Sequence, residues 1–161
     1  YPYDISSQIF FKMLDYKDLI PCCTGMIQRE VAQRIASEPS NKAYGILSVM
    51  IQAWYDVEYL FTVDEGVFNP PPKVKSAVIR MTRNGVENLG CDESLFKRVV
   101  KTAFNQRRKM LRVSLKPLFG KDHMPDAAFF AKDIMTRRPE QLTVAQFVDL
   151  TNRVAEVMPK P

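Results

Sequence analysis

Histidine is almost missing from this sequence: His123 is the only one, and it sits beside Asp122 in a Gly/Lys/Met/Pro stretch. A zinc site built on imidazoles, or proton transfer through a histidine, has no raw material here. Cysteine is sparse and odd in number. Cys22 and Cys23 are adjacent and Cys91 is remote, which is neither a metal-ligand spacing nor a disulfide framework. All three read as reduced thiols of a cytoplasmic protein. No apolar run approaches the roughly 18 residues a membrane helix needs, and no repeat or low-complexity tract interrupts the chain. The opening Tyr1-Pro2-Tyr3-Asp4 has neither an initiator methionine nor a basic n-region. It is therefore expected to be no signal peptide and to continue a longer chain. What remains is an ordinary globular composition, 46% hydrophobic and 25% charged over 161 residues, enough for one domain or two small ones.

Charge is unevenly spread. Residues 1–83 carry nine Lys/Arg against nine Asp/Glu, whereas residues 84–161 carry fourteen against nine. Between Ser94 and Lys121 lie nine cations and no acid. A polyanionic partner for the second half follows from that imbalance.

Periodicity divides the chain the same way. Ile5–Leu14 has helical spacing, Thr24–Arg29 is a short strand candidate, and Val31–Ala36 and Tyr44–Trp54 read as helices. Val57–Val63 and Ser76–Thr82 are β-branched, aromatic or alternating, and read as strands. The polar stretch Arg83–Gly90 is the boundary. Beyond it every pattern is helical: a stripe from Leu95 to Phe104, shorter amphipathic stretches over Met110–Leu118 and Ala127–Ile134, and a last helix. Thr143-Val144-Ala145-Gln146 opens that helix as a capping box. The expectation is a mixed α/β part over 1–84 and an all-helical part over 85–161.

Three groups of residues invite chemistry. Phe68-Asn69-Pro70-Pro71-Pro72-Lys73 lies between two strand candidates, and its prolines fix three φ angles and remove three donors. It is a stiff extended loop, either a plain connector or a mount for Phe68 against a flat ligand. Tyr1-Pro2-Tyr3-Asp4 brings aromatic rings from the other end of the α/β part. Tyr3 and Phe68 either sandwich an unstacked base or pack as core and rim rings. Asn105-Gln106-Arg107-Arg108-Lys109-Met110-Leu111-Arg112 is the third group. Arg108, Arg112 and Lys116 have i, i+4, i+8 spacing, which on one helix gives a row able to track phosphates, or a solvated basic face. Arg137 and Arg138 either extend that surface or complement the end of the preceding helix.

Taken together, the segments at 1–7, 26–35, 44–50, 68–78 and 105–112 resemble the ribosomal RNA adenine N6-dimethyltransferases. They are most similar to the bacterial small-subunit branch linked to kasugamycin sensitivity. The resemblance covers nearly the whole chain. It implies the C-terminal part of a Rossmann-like methyltransferase sheet, residues 76–82 running antiparallel between the other two strands, then a small helical RNA-binding domain. In that family an Asn precedes the Pro-Tyr pair, and the glycine-rich turn and acidic residue that hold S-adenosylmethionine lie further upstream. Neither resembles anything here.

By resemblance, Pro2 offers a backbone carbonyl to the adenine amine, Tyr3 stacks on the base and Phe68 closes the pocket. Lys73, Arg107, Arg108, Lys109, Arg112 and Lys116 hold RNA. The implied partner is small-subunit ribosomal RNA in its particle, with no metal and no membrane. The implied whole enzyme is monomeric, and this chain alone, expected to be inactive, self-associates through the open sheet edge at 24–29. Two other readings stand beside this one: a non-catalytic RNA-binding or ribosome-assembly module, and a resistance-type methyltransferase of large-subunit RNA.

Overall fold

The computed structural model describes residues 3–63 and 75–158, with no account of the side chains of residues 3–7. Two compact units emerge. The first is Tyr1–Glu38 with Leu47–Glu87, and the second is Pro39–Ile46 with Asn88–Pro161. The single cut after residue 84 expected from composition thus misses Pro39–Ile46, which joins the second unit.

In the first unit, helix α1 (Tyr3–Asp15) precedes strand β1 (Cys22–Gln28), helix α2 (Arg29–Ala36), helix α3 (Ile46–Gln52) and strands β2 (Tyr55–Val63) and β3 (Ser76–Arg83). The sheet order is β1-β3-β2, with β3 antiparallel to both neighbours. That is the arrangement the family resemblance implies. A register shift between Tyr59 and Phe61 marks a bulge in β2.

The alternation of β3 explains its central place. Ala77, Ile79 and Met81 are buried on one face, while Arg80 is exposed on the other and pairs with Glu58 at 2.7 Å. That exposed pair adds little stability. Val31, Ala32 and Ile35 form the buried stripe of α2, which packs on β2 and β3. The last carbonyls of α2 and its cap lie where intrahelical donors run out, and side chains supply donors there. Gln52 donates to the carbonyls of Ile35 (2.8 Å) and Ser37 (2.7 Å), and the Ser48 hydroxyl donates to that of Arg34.

At the other end of the sheet, Arg83 organises three segments. It donates to the carbonyls of Trp54, Lys17 and Val86, lies 3.4 Å from the Asp18 carboxylate, and stands 5.7 Å from the Trp54 ring centroid. Its side chain is only 17% exposed.

The second unit contains helices α4 (Glu93–Asn105), α5 (Leu111–Ser114), α6 (Ala127–Phe130) and α7 (Val144–Val157), linked by 3-10 turns. Phe96, Val99, Val100 and Ala103 of α4 and Phe147, Leu150, Thr151 and Val154 of α7 are buried, and the two helices pack together. The expected capping box forms: Thr143 Oγ1 accepts from Gln146 N–H (3.1 Å) and Gln146 Oε1 accepts from Thr143 N–H (2.9 Å). The two short amphipathic stretches break instead into a single helical turn each, followed by 3-10 turns at Lys116–Leu118 and Asp133–Thr136.

Candidate nucleic-acid interface

The basic stretch after α4 is not one helix. Gln106 leaves helical geometry at φ −130°, ψ 59°, and Met110 is extended at ψ 153°. Residues 106–109 therefore form a turn, closed by the Lys109 N–H donating to the Gln106 carbonyl at 2.9 Å. The row of Arg108, Arg112 and Lys116 along one helix face is corrected accordingly. Arg108 lies in the turn, Arg112 in the four-residue α5 and Lys116 in the following 3-10 turn. The physical reason is twofold: Met110 is extended, and Pro117, with no N–H to donate, turns the chain into 3-10 geometry after one turn of α5, while Leu111, Ser114, Leu115 and Leu118 pack inward. The same packing directs the cations outward: Arg108, Lys109, Arg112 and Lys116 are all exposed. Met110 and Val113, each close to 40% exposed, interleave apolar surface among them.

Arg107 has a different environment from its neighbours. One guanidinium nitrogen donates to the Tyr44 carbonyl (2.8 Å) and to Glu140 Oε2 (3.2 Å), and the group lies 5.7 Å from the Phe104 ring centroid. Around it, the Tyr44 hydroxyl donates to the Leu142 carbonyl (2.7 Å) and the Ser40 N–H donates to the Glu140 carbonyl (2.7 Å). Tyr44 is fully buried, and burial pushes its hydroxyl pKa up to about 12. Tyr44, Phe104 and Phe147 stack in sequence at 6.2 and 5.8 Å between centroids. Arg107 thus ties Pro39–Ile46 into the helical unit, a task the sequence does not distinguish from phosphate binding.

The sequence leaves open whether Arg137 and Arg138 extend the basic surface or complement the end of the preceding helix. The Leu111 N–H donates to the Arg137 carbonyl at 2.9 Å. That bond sets the exposed Arg137 and Arg138 against the start of α5, beside the exposed cations of the basic turn. Residues that are distant in sequence meet on one surface, and no short-range pattern announces it.

Of the residues expected at the base-binding end, Pro2, Phe68 and Lys73 lie outside the described residues. Tyr3 begins α1, and its side chain is not described. Among the described residues no group of His, Cys, Asp or Glu could hold a metal, and no helix is long and apolar enough to cross a membrane. The three cysteines are unbridged, and burial raises the pKa of Cys23 and Cys91, which disfavours their thiolates.

A family model described as ribosomal RNA adenine dimethylase matches residues 1–156. The chain is 69% identical over 159 residues to a ribosomal RNA small subunit methyltransferase A of Bacteroides thetaiotaomicron, covering 98% of this chain and 58% of that protein. It is 70% identical over 151 residues to the protein of the same name from Parabacteroides distasonis, covering 94% and 55%. The chain therefore spans a little over half the length of these relatives. A crystal structure of a dimethyladenosine transferase from Plasmodium falciparum superposes with a TM-score of 0.82 at 21% identity, over 97% of this chain and 65% of that one. The 23S rRNA methyltransferase ErmE superposes with a TM-score of 0.58 at 23% identity, over 96% and 63%. Both likenesses are of fold.

Proposed function

This chain belongs to the ribosomal RNA adenine dimethylase family, and we propose that the whole protein transfers methyl groups from S-adenosylmethionine to N6 of adenosines in small-subunit ribosomal RNA, in the cytoplasm and as a monomer. The observation that carries this reading is the 69% identity, over almost all of the chain, to a protein named for small-subunit methylation. The exposed basic turn at Arg108, Lys109 and Arg112 supports an RNA substrate.

The cofactor supplies the electrophilic methyl group. The described residues do not form its cradle: β1 passes into α2 through Gln28 and Arg29, with no glycine at the turn, and no glycine-rich strand-to-helix turn occurs elsewhere among them. The chain's own part is therefore at the base. The exocyclic amine of adenine is a poor nucleophile because its lone pair is delocalised into the ring. A backbone carbonyl at Pro2 accepting from that amine favours a tetrahedral nitrogen with a localised lone pair. Tyr3 and Phe68 hold the ring by stacking, with Lys73 near the adjoining phosphate, and no strong general base is required.

The test is methyl transfer by the whole protein to small subunits that lack the modification, with N6-dimethyladenosine read by mass spectrometry. Tyr3→Ala is expected to lower the rate roughly 10- to 100-fold, the worth of one base stack. Product on large-subunit RNA instead would transfer the reading to the resistance-type branch. Absence of product with RNA binding intact would favour the non-catalytic assembly module.

We further propose that this chain alone self-associates. No described strand pairs with the outer edge of β1, and Met26 on that strand is 51% exposed. Sedimentation should show a mass that rises with concentration for the wild type and falls to monomer in Met26→Lys. A wild-type chain that is monomeric at all concentrations refutes the edge pairing.

A further inference from the structure

The helical unit carries an open pocket of about 200 Å³ whose lining includes Phe129, Met135, Asp126, Lys132, Arg153 and Glu156. We propose that it takes one unstacked nucleobase of the bound RNA, with preference for guanine. The inference rests on the RNA-binding reading above and adds a base-specific contact to a surface otherwise made of phosphate contacts.

Size comes first. Pockets for drug-sized ligands run to about 300–1,000 Å³. This one is smaller and suits a single planar ring, not a dinucleotide or a whole cofactor. Its aromatic wall is held in place before any ligand arrives. Phe129 meets Phe119 edge-on at 5.6 Å and 83°, and Phe130 at 5.1 Å and 88°. A ring with fixed orientation is a stacking platform, and stacking on aromatic side chains is the usual means by which proteins hold unpaired RNA bases.

Charge then selects the ligand. Lys132 and Arg153 are exposed cations on the pocket's lining, available to the phosphates of a bound nucleotide. The two acids are acceptors only. Asp126 Oδ1 accepts from the Phe129 N–H at 3.1 Å and so is held to the start of α6, whereas the exposed Glu156 carboxylate on α7 is free to turn to a base edge. A carboxylate accepts from the adjacent N1–H and N2–H groups of guanine at once, whereas the pairing edges of adenine, cytosine and uracil each offer it a single N–H. An apolar anchor residue of a protein would also fit the Phe129 and Met135 surface. What favours a nucleotide is the pair of cations beside the ring, in a half of the chain with fourteen basic residues against nine acidic ones.

The test follows the methyl resonances of Met135 and Val157, which line the pocket, in the whole protein titrated with nucleoside monophosphates. Guanosine monophosphate is expected to give saturable shifts at both methyls, and adenosine, cytidine and uridine monophosphates a roughly tenfold weaker response. Glu156→Gln should abolish that difference, and Lys132→Glu with Arg153→Glu should weaken all nucleotides together. Three results overturn the proposal: no saturable shift with any nucleotide, the same shifts with inorganic phosphate alone, or shifts with N-acetyl-leucine amide and none with nucleotides. None of these bears on whether ribosomal RNA binds through Arg108, Lys109 and Arg112, so the proposal can fail while the broader reading stands.

Discussion

Reversing Arg108, Lys109 and Arg112 together to glutamate is expected to weaken binding of small-subunit ribosomal RNA by about two orders of magnitude at moderate salt. All three side chains are exposed on the turn and the short helix after α4, so folding is expected to be unchanged within about 0.5 kcal/mol. The diagnostic is the salt dependence. Each phosphate contact contributes roughly 0.7–0.9 to the slope of log affinity against log salt. Removing three should flatten the slope by about 2–3, and the loss should be alike for RNAs of different sequence, since phosphate contacts position and do not specify. Filter-binding titrations across a salt series would read both quantities. An unchanged slope would mean that RNA is held elsewhere and that this turn is merely a solvated face.

Part of this surface was legible in the sequence. The excess of cations without acids between Ser94 and Lys121 is a property of composition, and it survives whatever backbone carries it. The central position of Ser76–Arg83 in the sheet came from family likeness, and its buried alternation from pattern. Thr143 and Gln146 read correctly because a capping box closes within four residues. What failed to show had its cause at long range. The i, i+4, i+8 spacing of Arg108, Arg112 and Lys116 was real, yet the extended Met110, tied in place by the Leu111 bond to Arg137, and Pro117 broke the helix that would have given it meaning. Tyr44 read as the start of a helix, whereas α3 begins at Ile46 and Tyr44 itself is claimed by Leu142 and Arg107. The meeting of Arg137 with Leu111 spans 26 positions and has no local signature.

The same long-range logic separates Arg107 from the two cations that follow it. Arg107→Met is expected to destabilise the protein by about 1–2 kcal/mol, because the Tyr44 carbonyl and the Glu140 carboxylate both lose their donor. The figure stays at the low end of buried pairs because Arg107 is 38% and Glu140 26% exposed, so solvent screens the loss. For a chain of this length that is a fall in Tm of about 3–6 °C. Arg107→Lys should recover only part, since the ammonium sits one bond nearer the backbone than the nitrogen that reaches both acceptors and loses the flat guanidinium contact with Phe104. Arg108→Met, which breaks no described contact of that kind, should leave Tm within about 1–2 °C. RNA affinity should show the opposite ranking. Below the melting transition, Arg107→Met binds RNA nearly as the wild type does, while Arg108→Met loses about one unit of salt slope. Calorimetry and RNA titration on the same two variants decide the matter. If Arg107→Met kept its Tm and lost RNA affinity as Arg108→Met does, Arg107 would be a phosphate ligand and its bonds to Tyr44 and Glu140 incidental. If the rankings cross as expected, the basic run contains two functions side by side. One arginine holds Pro39–Ile46 in the helical unit, and the exposed cations after it contact the RNA.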